Sequence, residues 1–242
     1  MYISPVKNRN FVLIKYPKFL FTVGTATLSH KIFFICLCVI LMKKISCTFA
    51  GELLILASMD RLLSVKTSED ILPQYRGTPV ETLFGYHNLK MPFGDYTDSK
   101  MLIGMCMDKR IHLNIPARFA FTIRTGGANL RYCAFNVSYA IAVGGVRSIV
   151  LIGHNDCGMV NLYSKKEQIV RGLVEGGGMD PEQSEDHFRN YAPMFEIDSE
   201  TEFLLSEAAR LRKKYPNIMV APLFYLLEDN MLYFIEEKSS ST

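Results

Sequence analysis

The sequence predicts an α/β fold: a central, mostly parallel β-sheet flanked by helices. Two apolar runs carry most of that reading, Met101–Cys106 (MLIGMC) and Ser148–Gly153 (SIVLIG). Neither alternates polar with apolar residues, and strands read that way when both faces of a parallel sheet are covered. The third observation is what lies between them. Phe119–Arg124 supplies another strand, and Phe135–Val143 reads as a helix stopped by Gly144-Gly145, the usual glycine signal at a helix C-terminus. Strand, helix and strand in that order call for a right-handed crossover and a parallel core.

The remaining elements follow in chain order. Residues 59–100 read as a leading helix and an extended arm, with Pro73, Pro79 and Pro92 breaking any long helix there. After Cys157 a helix runs through Lys166 and Val170 to the Gly176-Gly177-Gly178 stop. Asp180-Pro181 opens the next one, with Asp as cap and Pro in the first turn. Ser199-x-x-Glu202 has the form of a capping box. Leu204, Ala208, Leu211 and Tyr215 then recur at helical spacing, which marks a core face. Met219–Leu227 and Met231–Ile235 read as strands around the turn Glu228-Asp229-Asn230, a hairpin that extends the sheet at its edge.

Charge divides the chain. The formal net charge is +3, yet residues 1–58 hold seven Lys or Arg and one acid, Glu52. Residues 59–242 are therefore slightly acidic, which gives no case for nucleic-acid binding. The leading segment also carries Ile32–Met42 (IFFICLCVILM), eleven apolar residues flanked by Lys31 and Lys43-Lys44. A spanning helix needs about 20. Three readings stand for 1–58: a start assigned too far upstream, with translation beginning at Met42 or Met59, a membrane anchor, or an export signal. The folded unit is expected to be residues 59–242, long enough for one full core. The six cysteines show no disulfide framework. Cytoplasm is the default location, with membrane association or export the alternative if 1–58 acts as anchor or signal.

Chemistry concentrates in two short motifs. GMCMDKR holds Cys106, Asp108 and Arg110, and GHNDCGM, 48 residues after Cys106, begins the second with His154 followed by Cys157. Each motif lies at the C-terminal end of an expected strand, where open α/β sheets place their ligands. Two thiols and an imidazole can supply three ligands to zinc and leave the fourth position open. Soft and borderline donors favour zinc over magnesium or calcium. Arg110 would hold Asp108 ionised and pointed. The loop Thr125-Gly126-Gly127-Ala128-Asn129 allows positive φ and close backbone approach. Cys133 reads as structural, and His87, His112 and His187 as surface or satisfied core groups. Tyr132 and Tyr139 fit helix packing better than a pocket.

C-x-D-x-R, then a glycine-rich A-x-N loop, then G-H-x-x-C-G resembles the β-class carbonic anhydrases, from about Met101 to Leu162. Two departures are visible. Lys109 stands where the family carries a small residue, and R-T-G-G-A-N (Arg124–Asn129) is one residue longer than the common R-N-A-G-N. The resemblance implies Zn²⁺ on Cys106, His154 and Cys157, with Asp108 and Arg110 as the catalytic dyad. It further implies reversible hydration of CO₂ to bicarbonate through zinc-bound hydroxide, and a homodimer or higher homo-oligomer. Asp108 could instead occupy the fourth zinc position, closing the site. The same family includes hydrolases of carbonyl sulfide and carbon disulfide, so those substrates remain open. A zinc-binding interaction or regulatory protein without turnover is the reading from another class. A redox dithiol is disfavoured, because the chain has no C-x-x-C.

Overall fold

A computed structural model describes residues 61–237; the expectations for 1–58 lie outside the described residues. Among these residues no helix is long and apolar enough to cross a membrane.

Among the described residues six strands form one mixed sheet: β1 (Leu62–Ser64), β2 (Met101–Cys106), β3 (Ala120–Thr125), β4 (Ser148–His154), β5 (Met219–Leu226) and β6 (Met231–Ile235). Their order is β1-β6-β5-β4-β2-β3. Strands β3, β2, β4 and β5 run parallel, and β6 and β1 add antiparallel pairs. Among the described residues five α-helices accompany them: α1 (Pro79–His87), α2 (Ala134–Ala142), α3 (Lys166–Glu175), α4 (Pro181–Phe195) and α5 (Glu200–Lys214).

Every residue of β2 and β4 is buried, which is why neither run alternates in sequence. Their side chains still divide by parity. Ile103, Met105, Val150 and Ile152 join α1, through Leu83 and Phe84, on one face. Leu102, Ile149 and Leu151 join α2 and α5, through Val137, Ala140, Leu204 and Ala208, on the other. Helix α5 comes close to β4, since a Cβ on Gly153 would lie 2.5 Å from Leu204 Cδ1.

Two expectations need correction. The described chain opens with strand β1, which pairs with β6, so β1 rather than the hairpin forms that edge of the sheet. A three-residue strand is too short to announce itself by periodicity. As expected no long helix crosses Pro79, which opens the nine-residue α1 at its first turn, behind the Thr78 cap whose hydroxyl accepts from the Val80 amide. Ser199 does sit at the N-cap of α5, but its side chain makes no capping bond there. Glu202 is drawn instead into an ion pair with Arg61. Asp180 caps α4 as expected, accepting from the amides of Glu182 and Gln183.

Helix α5 also buries one carboxylate. Glu207 is fully buried and accepts from Arg210 at 2.6 and 2.8 Å and from Arg131 at 3.1 Å. Burial alone would raise its pKa, but the two guanidinium groups outweigh it and hold the carboxyl below its ordinary value. A depressed folded-state pKa stabilises the fold above the glutamate range and ceases to do so as pH falls through it. Arg210→Met leaves that buried charge half-paired, and should cost about 3 kcal/mol at neutral pH in urea denaturation. The gap between variant and wild type should narrow below about pH 4. A constant gap across that range would contradict the assignment.

Candidate metal centre

Cys106 ends β2, His154 ends β4, and Cys157 follows in the turn beyond β4. Because β2 and β4 are parallel neighbours, both motifs emerge at one end of the sheet. One ligand atom from each of Cys106, His154 and Cys157 lies within 4.8 Å of the others, and all three residues are buried. The two sulfurs are 3.9 Å apart, close to the roughly 3.8 Å that bonds of about 2.3 Å to a tetrahedral zinc impose. No other such group of three comes together among the described residues.

His154 supplies the sharper test. Its Nδ1 lies 2.8 Å from the Asn155 carbonyl, so that nitrogen donates and the lone pair resides on Nε2. Nε2 is buried and has no hydrogen-bond partner. A buried acceptor without a donor is costly, and a metal beside the two sulfurs would satisfy it. A backbone carbonyl on the far nitrogen is the usual support for a ligating imidazole. Asn155 is itself fixed, donating to Glu228 and accepting from the Leu227 amide. The donor set therefore fits a divalent cation of zinc's preferences.

The thiols respond to one another. A hydrogen bond from Cys157 favours the Cys106 thiolate and lowers its pKa, while the same contact raises that of Cys157. The backbone amides of Asp108 and Gly127 lower the Cys106 pKa further. Gly127 lies in a turn at φ +61°, and Ala128 follows at φ +62°, so the glycine-rich loop does take up the positive φ expected of it.

Asp108 stands at the rim. Arg110 grips it through Nε to Oδ1 at 3.0 Å and Nη2 to Oδ2 at 2.7 Å, with the Arg110 amide on Oδ1 at 2.8 Å. That grip holds the Asp108 carboxyl well below the usual carboxylate range. Its Oδ2 is 3.9 Å from His154 Nε2. Two arginine contacts were not anticipated from sequence. Arg110 also reaches Asp156, and Arg124 ties down the carbonyls of Cys106, Asp108 and Ile111. A lone charged residue on a strand carries no sequence signal for such a role.

Beside the centre lies an apolar cavity of 710 Å³, lined by Met107, Gly126, Tyr132, Met159, Phe188 and Phe195 among others. Tyr132 thus lines the cavity, its ring tilted against Phe195 with centroids 5.5 Å apart, where helix packing was the expectation. Tyr139 is half-exposed on α2, again unlike a packing residue. His87 is a satisfied core histidine, bonded to the Asn230 carbonyl and the Asn114 amide. His112 and His187 are exposed, and Cys133 is half-buried on the cavity wall.

The carbonic anhydrase family model matches residues 101–220, from the start of β2 into β5. The chain belongs to the β-class carbonic anhydrase family. Solved structures similar to the chain include β-carbonic anhydrase isoform I of Trichomonas vaginalis, 16% identical with a TM-score of 0.49, covering 61% of this chain and 90% of that one. A carbonic anhydrase from Glaciozyma antarctica is 22% identical with a TM-score of 0.45, covering 68% and 96%. A carbon disulfide hydrolase is 20% identical with a TM-score of 0.42, covering 60% and 80%. No curated protein matches.

Proposed function

We propose that this β-class family member is a zinc enzyme that hydrates CO₂ reversibly to bicarbonate. The observation that carries the reading is the convergence of Cys106, His154 and Cys157 with an Arg110-held carboxylate at their rim. Zinc on those three residues would supply a Lewis acid that brings the ionisation of water toward neutral pH. Asp108, ionised and oriented by Arg110, accepts a hydrogen bond from the attacking water and points its lone pair at CO₂. The Asn155 carbonyl keeps His154 in the tautomer that offers Nε2. The neighbouring apolar cavity favours a small neutral molecule over water. Stopped-flow CO₂ hydration by the zinc-loaded chain at mildly alkaline pH tests this. A folded, zinc-bearing protein with no rate above buffer would reject it.

A second reading keeps the site and changes the substrate to carbonyl sulfide or carbon disulfide. The apolar cavity wall favours it, since those molecules are larger and more polarisable partners for Met107, Met159 and Phe195. Comparing turnover of the three molecules separates the readings.

Assembly as a homodimer or higher oligomer belongs to the same proposal. Strand β3 ends the described sheet, and Phe135, Tyr139 and Val143 on and just past neighbouring α2 are 80%, 51% and 68% exposed. Such spacing puts them on one helix face, and a second copy would cover it. Sedimentation should give a multiple of the chain mass, and Phe135→Glu should shift it toward the monomer. A monomer at micromolar concentration in the wild type would remove the idea.

A further inference from the structure

Asp156 sits between His154 and Cys157, in the turn that carries both. Its φ is +54°, in the left-handed region that Asp tolerates better than most residues. From there it offers two acceptors to one neighbour. Arg110 Nη1 donates to Asp156 Oδ2 at 2.7 Å, and Nη2 donates to the Asp156 carbonyl at 2.9 Å. The adjoining edge of the same guanidinium, Nε and the shared Nη2, holds Asp108. Arg110 is therefore gripped on both sides, by one acid from each motif.

Asp108 needs such control. Its Oδ2 is 3.9 Å from His154 Nε2, a buried atom without a hydrogen-bond partner. A short movement would make the carboxylate a fourth donor to the Cys106–His154–Cys157 set. Arg110 alone is a loose restraint, because its side chain is 42% exposed and an arginine carries about 2 kcal/mol of rotamer entropy. Anchoring its far edge removes that freedom. The Asp156 side chain is 79% exposed, so the pair contributes little stability; what it supplies is orientation.

We propose that Asp156 is a positioning residue, clasping Arg110 so that Asp108 stays off the Cys106–His154–Cys157 set and leaves it open to a small external ligand. This rests on the reading of that set as a metal site. The test loads the full chain with Co²⁺ and titrates thiocyanate while following the visible absorption of the cobalt. Asp156→Gly removes the carboxylate and keeps the turn, since glycine adopts positive φ freely. Thiocyanate should shift the wild-type spectrum, and its apparent affinity should fall about tenfold or more in Asp156→Gly. Adding Asp108→Ala to Asp156→Gly should restore the response, because the competing carboxylate is gone. Asp156→Asn, which keeps shape without charge, should fall between. Cobalt uptake should be equal throughout.

An Asp156→Gly titration matching wild type overturns the clasp, as does a wild type blind to thiocyanate. A loss that persists in the double variant also overturns it, since Asp108 is then not the occupant. A chain that takes up no cobalt sinks the metal reading and the clasp together. Normal thiocyanate behaviour without CO₂ hydration sinks the proposed reaction and leaves the clasp standing.

Discussion

Cys157→Ser should take up zinc at least about 10³-fold more weakly than wild type, a loss of roughly 4 kcal/mol. Serine nearly matches cysteine in size, so the substitution changes chemistry more than packing. A hydroxyl does not ionise near neutral pH, and its hard oxygen replaces a soft thiolate. Cys106 and His154 would then be two donors, where a catalytic zinc takes three. The metal-free fold should be little affected. The Cys157 side chain has one hydrogen-bond partner among the described residues, the Cys106 sulfur, and the turn itself is held by Arg110 and Asn155. Metal content after dialysis against a chelator, read beside the melting temperature of both metal-free proteins, checks each half. Stoichiometric zinc in Cys157→Ser would sink the ligand assignment.

The sheet core was legible because burial on two faces writes itself into sequence as unbroken apolar runs. β2 coincides with its apolar run to the residue, and β4 runs one residue further than Ser148–Gly153, taking in His154. That shift moves nothing chemically, since His154 still closes the strand beside Cys106. Convergence of the two motifs followed from a rule of topology, that parallel neighbours end on the same side. What stayed hidden depends on partners far away in sequence. β1 exists through pairing with β6, more than 160 residues later, and three residues hold no period. Ser199 and Glu202 match a capping box locally, yet Arg61 competes for Glu202 and wins. Arg110 was assigned to Asp108 alone because the two lie two residues apart. Its second contact is 46 residues away, and an aspartate between two ligands looks in sequence like any turn residue.

Asp108→Ala should keep its zinc and lose CO₂ hydration by about 10²- to 10³-fold, the range for removing a positioned proton acceptor. In the described structure the Asp108 carboxylate is bound by Arg110, not by the sulfurs, and its nearest approach to the donor set is the 3.9 Å to His154 Nε2. Removing it takes away no ligand, so metal content should hold. Arg110 would keep Asp156 as a partner, and no charge is left buried alone. With its carboxyl held well below the usual range, Asp108 stays ionised through neutral and alkaline pH. The factor lost should therefore be the same at every pH across that span, while the profile shape is left unchanged. A loss that varied steeply with pH would mean another group had taken over the role. Loss of zinc along with activity would make Asp108 a ligand instead, and undiminished hydration would leave the donor set to act without the dyad.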